Sequence, residues 1–398
     1  MKVIVVGQGL AGLLSAIAVA RGGHQVTDVA FGQSSLPLGP GVADVFGYVS
    51  GRPLAQPFDA VAGAVPGHPY NTIGYEATWA GVELLRELVG PLLESQGQRN
   101  TLLPTALGVM RPTYLYQPSM AAGALGQPKV IVGLTRLKDF YPSLIAGNLG
   151  ARAASVDVVA RAGEVDTTAM TFARFFDTEA GQAALVDALR PVIGDGEIVG
   201  LPAVLGLNDP TAWRQVQDRL GHQVFEIPLP PPSVPGWRLH NALARAAQQT
   251  GVSFIRGSRV VSVDLAGGRV DAVVVGSAGH HTRLPLDALV LATGGLASGG
   301  LVLEGRLVKE PLLGLPLVGQ AGQPFTASAF DQQPAFRAGL SVDAGMRPLG
   351  VDGLPIAGNL HAVGGLLAGS IRWEELTREG IAAGSAMAAA QAIEAELA

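Results

Sequence analysis

Read as a pattern of apolar and polar positions, the chain opens on a β-branched run, Lys2-Val3-Ile4-Val5-Val6, that stops at Gly7. Short unbroken runs of this kind make strands buried on both faces, as in parallel sheets. Gly7-Gln8-Gly9-Leu10-Ala11-Gly12 follows, then an apolar segment from Leu13 to Arg21 closed by Gly22-Gly23, then a second run from Gln25 to Val29. The pattern predicts strand, glycine turn, helix, strand. Far downstream, Val260 to Asp264 and Val270 to Val275 flank Gly267-Gly268 and predict a β-hairpin. Leu289 to Ala292 predicts a buried strand breaking at Thr293-Gly294-Gly295, Asn359 to Val363 a further strand ending at Gly364-Gly365, and Thr377 to Ile393 a helix.

The middle of the chain alternates differently. Lys129 to Val132 reads as a strand, Lys138 to Leu149 as a helix, Ser155 to Val159 as a strand, Ala180 to Val192 as a helix capped by Asp177 or Thr178, and Ile198 to Pro202 as a strand. Such alternation predicts an α/β unit inserted into the first fold. The Pro-rich segment Pro228 to Ser233 is either a stiff linker or a rim of the cleft.

The glycine turn carries the first chemistry. In a strand–turn–helix unit Gly7 permits the tight turn, Gly9 lets a phosphate approach the backbone, and Gly12 lets the helix pack on the strand. The anion then rests on the N–H groups of the helix N-terminus. The acid that contacts an adenosine ribose would end the second strand, and Ala30 stands there; Asp28 is two residues early and serves only in a shifted register. These residues therefore favour a phosphate-bearing cofactor over a full adenine dinucleotide. The three segments near residues 3, 289 and 360 also follow the order seen in flavoproteins of the two-dinucleotide-fold superfamily. That likeness implies Thr293 and Gly294 beside the cofactor phosphates and Gly364 and Gly365 beside the flavin ring. The expected fold class is α/β: a discontinuous Rossmann-like flavin-binding domain, residues 1–100 and 240–398, with a parallel central sheet and a β-hairpin, and an inserted α/β cap domain, residues 101–239.

Composition narrows the partners. Among 398 residues there is no cysteine, which excludes disulfides, thiolate nucleophiles and cysteine-held iron–sulfur clusters on this chain. A net charge of −5 argues against nucleic acid. No histidine or carboxylate cluster has metal-ligand spacing, so no metal is expected. Val3 to Ala20 resembles a signal peptide, but its glycines are better explained by the phosphate turn. Pro311 to Phe330, with three prolines and three glycines, makes a poor membrane helix, so membrane contact requires a partner.

Beyond these patterns, the chain resembles the B subunit of bacterial anaerobic glycerol-3-phosphate dehydrogenase nearly end to end. The residues that carry the likeness include Gly9-Leu10-Ala11-Gly12, Gly32-Gln33-Ser34 with Gly41 and Asp44, His68-Pro69-Tyr70, Arg111, Ala173-Arg174-Phe175, Pro231-Pro232-Ser233, Arg238, Ser298-Gly299-Gly300, Arg347-Pro348 and Asn359-Leu360. The resemblance implies oxidation of sn-glycerol 3-phosphate to dihydroxyacetone phosphate, with electrons passed to a quinone. It implies FMN as cofactor, with FAD as the alternative. The implied partners are a catalytic A subunit, together with an iron–sulfur C subunit that holds the complex to the inner face of the cell membrane, the chain itself being cytoplasmic. Two other readings remain: a structural subunit with a degenerate flavin site, and a stand-alone FAD oxidoreductase of another substrate.

The expected cofactor-binding residues are Gly7, Gly9, Leu10, Ala11, Gly12, Gly32, Gln33, Ser34, Thr293, Gly294, Gly364 and Gly365. Alcohol oxidation needs a base, and a phosphate substrate needs cations. His68 and Arg347 are the catalytic candidates, with Arg111, Arg174 and Arg238 as further cations; His240, His280 and His281 read as solvated. Glu374-Glu375 and Glu379 place acid near the expected ring, which would disfavour a ring gaining negative charge.

Overall fold

The computed structural model describes residues 1–319 and 324–396; of the stretch from Pro311 to Phe330, residues 320–323 lie outside them. In chain order the elements used below are β1 (Lys2–Val6), α1 (Leu10–Arg21), β2 (Gln25–Ala30), α2 (Tyr75–Val89), β3 (Thr101–Pro104), β4 (Met110–Thr113), β5 (Lys129–Leu134), α3 (Pro142–Leu149) and β6 (Arg152–Val156). They continue with α4 (Ala169–Phe176), α5 (Glu179–Leu189), β7 (Ile198–Pro202), α6 (Ala212–Leu220), β8 (Val224–Ile227), α7 (Val234–Gln249), β9 (Ser253–Arg256), β10 (Arg259–Ala266), β11 (Arg269–Ser277) and β12 (His280–Pro285). The last are β13 (Ala288–Leu291), β14 (Leu360–Ala362) and α8 (Arg378–Ala395).

A five-stranded parallel sheet, ordered β9-β2-β1-β13-β14, gathers the segments expected near residues 3, 289 and 360. Ile4 pairs with Leu289, and Leu289 with Leu360. Both faces are covered, which is why these strands are continuously apolar. On one face lie α1 and α8, and α2 packs closely on α8: a Cβ on Gly81 of α2 would stand 2.1 Å from the Ala383 oxygen of α8. The other face meets β10-β11-β12, an antiparallel sheet containing the expected hairpin and a third, polar strand that periodicity did not reveal. The fold is α/β with parallel sheets, as expected.

A second parallel sheet, β8-β7-β5-β6, has its own core of Val130, Ile131, Phe172, Phe176, Leu185 and Phe225, among others. Three expectations shift here. The helix predicted from Lys138 begins at Pro142, because the residue before proline is steered away from helical backbone and proline suits the first helical position. The strand expected at Ser155–Val159 runs from Arg152 to Val156, in register with Val130 to Leu134. The helix predicted to Val192 ends at Leu189, after which Pro191 imposes a 3-10 turn. Thr178 is its cap, accepting from the Gly181 N–H at 3.1 Å, while Asp177 accepts from the Leu207 and Asn208 N–H groups.

Candidate flavin site

β1 delivers the chain to Gly7, whose N–H donates to the Val29 oxygen at 2.9 Å. Its φ of +117° is a conformation that side chains rarely adopt, and a Cβ there would lie 2.4 Å from the Ala292 oxygen at the end of β13. At Gly12 a Cβ would lie 1.7 Å from the Gly7 oxygen, so glycine alone lets α1 sit against the turn. Gly9 differs: nothing lies within 4 Å of a Cβ built on it. No side chain caps α1, and its first turn holds no acid. Its N-terminal N–H groups and positive dipole end are therefore available to an anion.

Two cavities adjoin this turn. The smaller, about 490 Å³, is walled by Gly9, Leu10 and Ala11, by Gly294 and Gly295 after β13, and by Gly364 and Gly365 after β14. The larger, about 900 Å³, begins at Gln8 and runs past Gly32, Gln33 and Ser34. Of the residues expected to bind cofactor, Gly9, Leu10, Ala11, Gly294, Gly364 and Gly365 thus share one cavity, and Gly32, Gln33 and Ser34 line the other. Gly7 and Gly12 shape the turn without lining either. Thr293 lines neither, and its buried hydroxyl has no hydrogen-bond partner among the described residues.

The expected catalytic pair is not in this site. His68 is buried as the cap of the short helix Pro69–Ile73. Its Nδ1 accepts from the Tyr70 N–H at 3.2 Å, so Nε2 carries the proton and donates to Glu375 at 3.4 Å. Arg347 is ion-paired to Asp343 at 2.7 Å and lines neither cavity. Arg238 is 3% exposed and turns inward: it pairs with Glu226 at 2.7 Å and donates to the Leu205 and Gly206 oxygens, so it serves packing. Arg174 is exposed on α4. His280 and His281 are exposed as expected, but His240 is not solvated: it is partly buried and lines the larger cavity.

Of the expected cations Arg111 lines the smaller cavity, where it is joined by Asp44, Arg372 and Arg378, which the sequence did not mark as chemical. Asp44 is 2% exposed and paired to Arg111, with Oδ1 unpartnered; burial pushes its carboxyl up, against the opposing charge of Arg111. Arg372 donates to the Gly365 and Leu367 oxygens, both at 2.8 Å, while its buried Nε has no partner. Burial pushes its guanidinium down to about 10. Arg378 pairs with Glu379, and both line the cavity. The acid expected near the ring is therefore matched by cations. Burial raises the Glu375 carboxyl, but hydrogen bonds from His68 and Ser370 bring it net below its usual range; Glu374 is exposed and bonded to Gln332.

An open approach at Gly9, a free helix N-terminus, an orphaned Thr293 hydroxyl and two cavities meeting at one glycine turn fit a flavin carrying phosphate. The family model for an FAD binding domain matches residues 2–377. The fold and site thus define a flavoprotein of the FAD-dependent oxidoreductase class. Among curated relatives, a probable B subunit of anaerobic glycerol-3-phosphate dehydrogenase from Halobacterium salinarum is 32% identical over 391 residues, covering 92% of each chain. The B subunit of anaerobic glycerol-3-phosphate dehydrogenase from Pectobacterium carotovorum is 31% identical over 392 residues, again covering 92% of each. The chain belongs to this family, the B subunits of anaerobic glycerol-3-phosphate dehydrogenase. Among solved structures it is similar to a 3-ketosteroid Δ1-dehydrogenase from Sterolibacterium denitrificans, at TM-score 0.46 and 11% identity over 99% of each chain. The family model names FAD, so the expectation of FMN as the main cofactor gains no support from it. Among the described residues no helix is long and apolar enough to cross a membrane.

Proposed function

We propose that this chain is an FAD-binding subunit of a dehydrogenase complex that oxidises sn-glycerol 3-phosphate to dihydroxyacetone phosphate. In this reading residues 1–100 and 240–398 form the flavin domain and residues 101–239 the cap. The A subunit is the catalytic partner. The C subunit holds iron–sulfur clusters, passes electrons to a quinone and tethers the assembly to the inner membrane face. The observation that carries the reading is the pair of cavities meeting at the uncapped N-terminus of α1, one bounded by Gly294 and Gly364, the other by Gly32 to Ser34.

Gly9 and the first-turn N–H groups of α1 would hold the phosphates, with the Thr293 hydroxyl as a nearby donor. Gly32, Gln33 and Ser34 would hold the adenosine end, and Ala30, where β2 ends, would offer its ribose no carboxylate. When bound, the flavin supplies a two-electron acceptor for an alcohol. With Arg111 and Arg378 paired to Asp44 and Glu379, Arg372 leaves the smaller cavity one cation in excess, suited to a phosphorylated substrate. Asp44 takes the hydroxyl proton at its unpartnered Oδ1, and Arg111 holds the carboxylate in place.

The test is glycerol-3-phosphate-dependent dye reduction by the chain purified with its co-expressed partner subunits. Asp44→Asn is expected to lower turnover about 100-fold, the usual scale for a general base, with flavin content unchanged. A complex that carries flavin but reduces no dye with this substrate overturns the substrate assignment.

A further inference from the structure

The larger cavity holds more than the flavin reading uses. In the flavin reading the wall at Gln8 and Gly32 to Ser34 would hold the dinucleotide. The facing wall is built by α6 and α7: Trp213, Arg214, Trp237, His240 and Arg245. Among the described residues no aspartate or glutamate lines the cavity, in a chain whose net charge is −5.

Of its four arginines Arg238 is taken by Glu226, and the other three are not ion-paired among the described residues. Arg214 lies over the Trp213 ring at 5.3 Å, Arg245 donates only to the Asn241 oxygen of its own helix at 3.2 Å, and Arg256 reaches the Gln8 amide oxygen at 3.4 Å. Among the described residues none of the three has a carboxylate within 4 Å. The acids whose charge they feel, Glu94 and Asp28, both have carboxyls raised by burial, which weakens any neutralisation. Trp237 meets His240 edge-on at 5.7 Å, and the buried His240 Nδ1 has no partner. Guanidinium forks suit phosphate, and indole faces suit a flat ring.

We propose that this outer wall binds a second ligand beside the dinucleotide, an anionic, ring-bearing molecule of the nucleoside phosphate class. The proposal rests on the FAD reading, because it needs the inner wall to be occupied.

Calorimetric titration of FAD-saturated protein with ADP, and separately with pyrophosphate, tests it. One saturable ADP site per chain is expected, at least tenfold tighter than pyrophosphate. Substituting both Arg214→Ala and Arg245→Ala should weaken it at least tenfold, with Tm and flavin content unchanged. Absence of ADP binding to FAD-saturated protein overturns the proposal. So does ADP binding seen only without flavin and displaced by FAD, which would make the whole cavity the dinucleotide's own. Pyrophosphate binding as tightly as ADP overturns the ring-bearing class. A chain that takes up no FAD overturns the flavin reading, and with it the claim of a ligand beside the dinucleotide.

Discussion

Substituting Gly9→Ala and Gly12→Ala, three residues apart on one turn, separates ligand space from packing space. At Gly9 the backbone is extended, with φ −72° and ψ −177°, which alanine adopts freely, and nothing lies within 4 Å of the new methyl. The folded chain should lose at most about 1 kcal/mol, the difference between glycine and alanine at a helix cap. The methyl nevertheless stands where a phosphate would approach. Displacing one charge-assisted hydrogen bond costs roughly 1.5–3 kcal/mol, or about 10- to 150-fold in flavin affinity. At Gly12 the methyl would meet the Gly7 oxygen at 1.7 Å, where real contacts stay above 3.0 Å, so α1 must retreat by more than 1 Å. The group it meets is backbone and cannot rotate away, which puts the cost at or beyond the upper end of the roughly 1–3 kcal/mol typical of overpacking. Urea unfolding of the flavin-free proteins and fluorimetric flavin titration read the two effects. Gly9→Ala should keep its unfolding midpoint and lose flavin; Gly12→Ala should lose both. Flavin binding by Gly9→Ala at wild-type affinity would refute the placement of phosphate at this turn.

Other expectations follow from the same geometry. Arg372→Met removes two bonds to the 365–367 segment and the one arginine of the smaller cavity that has no carboxylate partner among the described residues; spectroelectrochemistry should find a more negative flavin midpoint potential, and an unchanged potential would place Arg372 away from the ring. Arg238→Met strands Glu226 in the core, with an expected loss of about 3–5 kcal/mol by denaturant unfolding. Replacing both partners by apolar residues should cost much less, and equal losses would show that the pair's charge is irrelevant. Burial raises Asp28 to about 7, so the folded chain holds a proton that the unfolded chain releases near pH 4. Its contribution is therefore present below about pH 4 and lost as pH rises through 7, at up to about 1.4 kcal/mol per pH unit. Asp28→Asn should flatten that fall in unfolding free energy and stabilise the protein at pH 8; an unaltered profile would show that Asp28 is ionised in the fold.

The central sheet and glycine turn were legible in the sequence because one local pattern, an apolar run closed by glycine, recurs wherever a parallel strand ends beneath the site. Gly7 and Gly12 owe their identity to contacts within the β1–α1 unit and the end of β13, so spacing alone pointed to them. Of the polar members, Arg111 was marked as a candidate cation, but Asp44 and Arg372 were not marked as chemical. The three come from a cap-side hairpin, a loop and the approach to α8, and only folding brings them to one cavity. Arg238 looked like a phosphate ligand because its partner, Glu226, lies 12 residues away on a separate strand. The acids at 374–379 suggested a negative site because sequence order does not show that Arg372 and Arg378 face the same cavity in space. His240 was misplaced for a related reason: the amphipathic α7 turns that face toward a cavity rather than bulk water.

The account stands on a flavin held across two cavities at one glycine turn. Denaturing the purified chain and identifying the released cofactor by chromatography tests this most directly. FAD in about equimolar amount to the chain is the predicted result; FMN would leave the wall at Gly32 to Ser34 without its occupant, and a colourless chain that takes up neither flavin would contradict the account outright.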